Sequence, residues 1–375
     1  MAKKTSKEIE DRYVDEDQSV TQERSDFLLP QVIDFVTRRQ WMNLQPEYQR
    51  RQVWDRAKQS RFLESLLMNL PVPPVFLFEP EYNRYEVMDG QQRLSSIVSF
   101  YEGKLKLTGL EHWTELNGKF YSDLPLKLQR GLDRRRISAV VLQTSSDADR
   151  AEELRRVVFE RLNTGGQKLN AQELRNCLYS SDFAGLLVEL AGYSTFNDMF
   201  DIPRYEDNVV DGRPSTALAQ NTLYKRMTDC ELVLRFFAFR DRRNVKGSVK
   251  AMLDRSMKIN RDVGPDQLAQ MSADFKSRVD MAEQLFGPDA FKLLDEAGEN
   301  YVVSHPYYDA VMVACDKHFK SKSKLIRRAR ALERSIEAEL ARPEIYGLMV
   351  GRANTASSMR ERFKVMEDCF EAAIK

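Results

Sequence analysis

The sequence predicts an α+β protein in which an α/β core, residues 26–144, precedes a large, all-helical region, residues 145–375. Three observations lead there. Short apolar runs rich in β-formers (residues 75–78, 85–88 and 137–142) alternate with segments of helical period in the first part of the chain. Beyond Ser145 almost every segment repeats its apolar residues at helical spacing. Between Tyr85 and Tyr101 a strand-like run passes through Asp89-Gly90 directly into a helical pattern.

In order along the chain, residues 1–25 are polar, charged and poorly periodic, the composition of a flexible arm. Leu28, Val32, Phe35 and Val36 recur at helical spacing as the chain enters the core. Leu63, Leu66, Leu67 and Leu70 place an amphipathic helix over residues 58–70, and Pro71, Pro73 and Pro74 end it. Residues 75–78 form a strand, 79–84 a turn, 105–107 a short strand, 124–132 a helix and 137–142 a strand. The triplet Arg134-Arg135-Arg136 reads either as a solvated turn or as a phosphate contact.

In the second region, Asp147 or Asp149 caps a helix running to Leu162, which Asn163-Thr164-Gly165-Gly166 breaks. Asn170 with Glu173 three residues on matches a capping box, and capping is the preferred role of Glu173. Residues 200–215 carry Asp, Asn, Gly and Pro and read as a surface loop. Further helices follow near residues 232–237, 268–286, 307–318, 321–341 and 357–374. The helix over 321–341 has one apolar stripe and a strongly basic opposite face, which either tracks a phosphate backbone or is simply solvated.

The corner Asp89-Gly90-Gln91-Gln92-Arg93 holds the most chemistry. Asp89 is a good N-cap residue, and Gly90 turns the backbone without a Cβ penalty. The opening amides of the helix and its dipole favour an anion, and Gln91, Gln92 and Arg93 add donors suited to phosphate oxygens. Local physics alone favours a purely structural strand-to-helix turn, since short glycine-containing corners are common.

Three further stretches bear on that choice. They are Pro46-Glu47-Tyr48-Gln49-Arg50-Arg51-Gln52-Val53-Trp54, then Phe159-Glu160-Arg161-Leu162-Asn163-Thr164-Gly165-Gly166 continuing to Gln172-Glu173-Leu174-Arg175-Asn176, and Glu231-Leu232-Val233-Leu234-Arg235-Phe236. With the corner, in this order, they resemble the N-terminal domain of the GmrSD family of modification-dependent restriction enzymes, whose core is similar to the ParB/sulfiredoxin fold. The similarity runs from about Asp26 across most of the chain.

The resemblance implies a nucleoside triphosphate, of unspecified base, bound with Mg²⁺ at Gly90, Gln91, Gln92 and Arg93. It adds Gln49, Arg50, Asn163 and Thr164 to the same pocket. Asp89 either caps the helix or holds Mg²⁺, and Asp89, Gln92 and Arg93 are the catalytic candidates for hydrolysis. The implied function is a nucleotide-binding and hydrolysing component of a bacterial restriction or antiphage system, an Mg-dependent NTPase, with DNA and a separate nuclease subunit as partners. The alternative is a ParB-like DNA-binding module gated by nucleotide with little turnover. A self-contained nuclease ranks last, because no paired-carboxylate motif is visible. An oligomer stays open.

Composition sets the remaining bounds. Basic and acidic residues number 58 and 57, so no global field marks a nucleic-acid-binding protein and any such contact must be local. The four cysteines (Cys177, Cys230, Cys315, Cys369) form no CxxC pair and read as small buried hydrophobes in a reducing, cytoplasmic protein. No apolar run is long enough for a membrane span. The three histidines (His112, His305, His318) lie in unrelated contexts, which argues against an HNH nuclease in this chain. GxxxxGK[ST], GxGxxG and GxSxG are all absent.

Overall fold

Five strands share one mixed sheet in the first half of the chain. Their spatial order is β1 (Val20–Leu28), β5 (Arg136–Thr144), β3 (Val75–Glu81), β4 (Arg84–Asp89) and β2 (Met42–Asn43). The structure is a computed structural model and describes residues 5–8, 10, 20–44, 54–144, 155–159, 161–162, 170–179, 181–210, 213–295 and 297–375. The chain divides into two compact units, residues 1–168 and 169–375. The boundary expected from sequence, 144/145, falls at the end of β5.

β1 runs antiparallel to β5, from Val20 opposite Thr144 to Leu28 opposite Arg136. β5 and β3 are parallel, β3 and β4 antiparallel, and β4 and β2 parallel. The start of β1 corrects the expected arm, which reached Ser25. Thr21 to Arg24 are exposed on an edge strand, so their polar character carries no inward-facing period to read.

Helices of this unit include α1 (Leu29–Thr37), α2 (Arg56–Leu67), α3 (Gln91–Tyr101) and α4 (Leu126–Asp133). Leu29, Val32, Leu63, Leu66, Leu94, Ile97 and Phe100 on α1 to α3 share one buried core with Val75, Leu77, Val87, Ile137, Ala139 and Val141 of the sheet. Each buried Val, Leu, Ile or Phe among them contributes about 1.5–3 kcal/mol by leaving water. Along β5 the inward set Ile137, Ala139, Val141 alternates with the exposed Arg136 and Ser138, the period-2 pattern that made it legible.

α2 starts earlier than expected, because Asp55 caps it by accepting from the Lys58 amide at 2.7 Å. It also stops earlier, at Leu67: Asn69 takes a left-handed φ of 58° ahead of the prolines. Residues 105–107 are not a strand. They are held by isolated backbone bonds, Leu105 N–H to the Ser99 carbonyl (3.0 Å), Leu107 N–H to the Lys119 carbonyl (3.0 Å) and Gly118 N–H to the Leu107 carbonyl (2.8 Å). Nearby, the buried Glu64 carboxylate accepts the N–H groups of Glu111, His112 and Trp113 at 3.1, 2.8 and 2.7 Å. Arg135 of the basic triplet donates to the Leu66 and Leu67 carbonyls at the end of α2, so it serves the fold.

The second unit is built on α5 (Ala171–Leu178), α6 (Asp182–Ala191), α7 (Thr228–Arg240), α8 (Val249–Ile259), α9 (Pro265–Phe286), α10 (His305–Lys317), α11 (Ala329–Leu340) and α12 (Ala356–Ile374), with shorter helical turns between them. α7 lies at its centre, packed on α6, α8 and α10, with Leu232, Val233, Leu234, Phe236 and Phe239 all buried. It is not all-helical as expected. Val209–Val210 pairs with Arg213–Pro214, and Lys292–Leu294 with Tyr301–Val303, in two small antiparallel ladders. Runs of two or three residues are too short to show a period. The helix expected over 321–341 is two, Lys322–Arg327 and α11, separated at Arg328. Cys230, Cys315 and Cys369 are buried and in no disulfide among the described residues, and burial pushes the Cys369 thiol up.

Candidate functional site

β4 ends at Asp89, Gly90 turns the chain and α3 begins at Gln91. Gly90 sits at φ 93°, ψ 9°, a left-handed conformation that side-chain-bearing residues rarely adopt. A Cβ at this position would collide with the Val75 side chain. Gly90 itself is the N-cap residue, which corrects the expectation that Asp89 caps α3. The Asp89 carboxylate reaches forward one helical turn instead, and its Oδ2 accepts from Arg93 Nη2 at 2.7 Å.

Arg93 is turned inward. Its Nη1 donates to the Pro73 carbonyl and, at 3.3 Å, to the Pro74 carbonyl, and its side chain is 11% exposed. The guanidinium therefore ties α3 to the irregular segment that leads into β3. Gln91 is buried. Gln92 Oε1 accepts the Trp54 N–H at 3.0 Å, and the Ser96 hydroxyl donates to the Gln92 carbonyl at 2.6 Å.

What the corner offers a ligand follows from these contacts. The first turn of a helix leaves its amides without intrahelical acceptors, and its dipole is positive there. The Asp89 side chain is 48% exposed, and its Oδ1 has no hydrogen-bond partner among the described residues. One open carboxylate oxygen beside an anion-favouring helix start suits a hard cation that also takes phosphate oxygens, as Mg²⁺ does. Arg93 contributes less open positive charge than its residue type suggests, because Asp89 and two carbonyls already meet it.

Asp89, Gly90, Gln91, Gln92 and Arg93 are thus brought together. Gln49, Arg50, Asn163 and Thr164 lie outside the described residues. The proline carbonyls and Trp54 are partners that residue types alone do not reveal. Neither is the Glu86–Arg155 ion pair on the same strand, at 2.6 Å with the Arg155 side chain 14% exposed. A cleft of about 540 Å³ lies at the opposite end of β4 from Gly90, bordered by Trp41, Met42, Asn43, Pro80, Tyr85 and Glu86.

In the second unit, two of the stretches singled out by sequence meet in a buried polar network. Asn170 caps α5, accepting from the Gln172 and Glu173 amides at 2.9 Å, and Glu173 accepts back from the Asn170 N–H at 2.6 Å. Capping is therefore the role Glu173 has. Arg175 donates to Gln172 Oε1, Glu231 and Asp254 at 3.1, 3.0 and 2.7 Å. Arg235, one turn on from Glu231, grips the fully buried Asp309 with Nε (2.8 Å) and Nη2. Burial opposes the Arg235 charge, but Asp309 outweighs it and holds the guanidinium above its ordinary value. These residues are paired with one another, so they build the helical unit.

Among the described residues no three His, Cys, Asp or Glu side chains converge as a metal cluster, and no helix is long and apolar enough to cross a membrane. No curated protein and no solved structure matches the chain significantly. One family model does match: the GmrSD restriction endonuclease, N-terminal domain, over residues 31–180. The match includes the Asp89–Arg93 corner and the stretches around Gln49 and Asn163. It stops before Glu231, so it is shorter than the resemblance read from the sequence. It associates the chain with restriction of DNA. Residues 31–180, and with them the whole Asp89–Arg93 corner, belong to the GmrSD restriction endonuclease N-terminal domain family.

Proposed function

We propose that the chain is a nucleotide-responsive component of a DNA restriction or antiphage defence system, binding a nucleoside triphosphate over the first turn of α3. One observation carries this reading: the left-handed turn at Gly90, the start of α3 and the half-exposed Asp89 carboxylate meet in a single corner. The α3 amides and dipole would receive phosphate oxygens. Asp89 Oδ1 would share Mg²⁺ with those oxygens, and the ion would supply charge neutralisation when bound. Asp89 or Gln92 would orient water for hydrolysis, since positioning is most of what phosphoryl transfer asks of a protein. Gln49, Arg50, Asn163 and Thr164 would close the pocket, with Arg50 as its open cation. Arg93 would act as a positioning residue that fixes Asp89 and the corner's shape.

The inward turn of Arg93 favours a second reading as well. With that cation met internally, a site can retain nucleotide and gate contact with DNA while turning over little. Phosphate release from each ribonucleoside triphosphate, with Mg²⁺ and with or without duplex DNA, separates the two. Release that DNA stimulates and Asp89→Asn abolishes supports the first; nucleotide-dependent retention on DNA without release supports the second. Absence of both contradicts the proposal.

A further inference from the structure

We infer that the second unit carries a docking surface for the phosphate backbone of duplex DNA, on the short helix Lys322–Arg327 and the outer face of α11. This surface is independent of the Asp89 corner. Eight basic residues fall in residues 317–334 against one acid, Glu333, in a chain whose formal net charge is only +1. Lys320, Lys324, Arg327, Arg328, Arg330 and Arg334 are all exposed. None of the six forms an ion pair among the described residues. Their only hydrogen bonds there go to main-chain oxygens, from Arg328 to Ala373 and from Arg334 to Arg330. By contrast, Lys317 at the edge of the run is spent on Glu367 and Glu371.

Helix geometry makes a face of these residues. Leu332 and Ile336 turn one side of α11 into the core. Arg330 and Arg334, one turn apart, fall on the opposite side. Lys324 and Arg327 lie on the short helix that ends just before Arg328, and α11 carries the row on through Arg330 and Arg334. Glu333, Glu337 and Glu339 share α11 but form no ion pair with these cations among the described residues, and like-charged side chains held this close repel one another, a cost that a polyanion relieves by accepting them and releasing counterions.

The composition of the row selects the polyanion. Single-stranded nucleic acid is gripped by stacking on aromatic rings. Of the rings in this run, Phe319 is covered by the Arg278 guanidinium at 3.9 Å and His318 packs on Phe370 with ring centroids 5.8 Å apart. A membrane surface asks for apolar side chains that insert beside the cations, and no large hydrophobic residue is exposed between Lys317 and Leu340. A rigid, regularly spaced line of phosphates is what remains. Contacts of this kind fix position on DNA without reading its sequence.

The test is fluorescence anisotropy of a labelled duplex of about three helical turns with the full chain, without nucleotide, across about 50 to 200 mM KCl. The variant K324A/R327A/R330A/R334A places alanine at exposed helical sites and keeps the fold, as a circular dichroism melt would verify. Four lost phosphate contacts should flatten the slope of log K against log salt by about 3 to 4 and weaken binding about 100-fold at the lowest salt. Removing four charges from the first unit, K104A/K106A/K119A/K127A, should leave the slope nearly intact. Equal losses in both variants, unchanged binding by the first, or tighter binding to single strands, duplex RNA or phosphatidylserine vesicles would each overturn the assignment. Nucleotide binding by the first variant should stay at the wild-type level, so a failure here is distinct from a failure at the Asp89 corner.

Discussion

Gln92 Oε1 accepts the backbone N–H of Trp54 at 3.0 Å, joining the first turn of α3 to the segment that directly follows residues 45–53. Gly90 packs against Val75, and Arg93 holds Pro73 and Pro74. The corner is therefore fixed from three sides before any ligand arrives. Such preorganisation is what an electrostatic site needs, because dipoles already aimed cost no reorganisation on binding.

Arg93→Ala should destabilise the first unit by about 2–4 kcal/mol, since it removes charge-assisted hydrogen bonds from a nearly buried guanidinium and frees the Asp89 carboxylate. Arg93→Lys should recover only part, lacking the planar fork that reaches two carbonyls and a carboxylate at once. Urea midpoints of the two variants measure this. Wild-type stability for Arg93→Ala would show that the inward contacts contribute nothing.

Gly90→Ala should cost more than about 2 kcal/mol, because the new methyl meets Val75 and the φ of 93° is strained for alanine. Adding Val75→Ala should return only the steric share. A double-mutant cycle on thermal stability separates backbone strain from collision.

Glu64 predicts an acid limb of unfolding. Burial raises its carboxyl, but the N–H groups of Trp113, Glu111 and His112 outweigh burial and hold it below its ordinary value of 4.5. A carboxyl depressed in the folded state contributes stability above its unfolded value, and that contribution is lost as pH falls through the folded one. Stability should thus decline below about pH 4.5. Glu64→Gln should be weaker by about 2–4 kcal/mol at neutral pH and show a flatter acid limb. Denaturant midpoints across pH check both statements.

In the second unit, Asp309→Ala should cost about 3–5 kcal/mol, because it leaves the Arg235 charge buried with only the distant Glu231 carboxylate, 3.8 Å away. The pair Arg235→Met with Asp309→Leu should lose less than Asp309→Ala alone. Chemical denaturation of the three proteins decides it.

How legible these features were follows from how local their causes are. The β4–Gly90–α3 corner could be read because β-formers, a glycine and a helical period follow one another within a few residues. Which residue caps α3 could not: Asp89 has the right side chain, but an arginine four positions on competes for it. The direction of Arg93 was hidden for the same reason, since its acceptors come from Pro73 and Pro74. β1 was masked by its exposure, whereas β5, its partner, alternates clearly. The Asn170–Glu173 capping box was legible because all its atoms lie within one turn. The Arg175–Glu231 and Arg235–Asp309 pairs join residues far apart in sequence, which no local pattern encodes.

The central claim is that the Asp89 corner binds a nucleoside triphosphate with Mg²⁺. Titration calorimetry of the four ribonucleoside triphosphates, with and without Mg²⁺, into the wild-type chain and Asp89→Asn tests it most directly. The account predicts that wild-type protein binds at least one triphosphate more tightly with Mg²⁺ than without. It also predicts that Asp89→Asn loses that Mg²⁺ dependence while remaining folded, its melting temperature lowered only by the weakened bond to Arg93. Wild-type protein that binds none of the four, or a well-folded Asp89→Asn whose Mg²⁺-dependent affinity is unchanged, would contradict it.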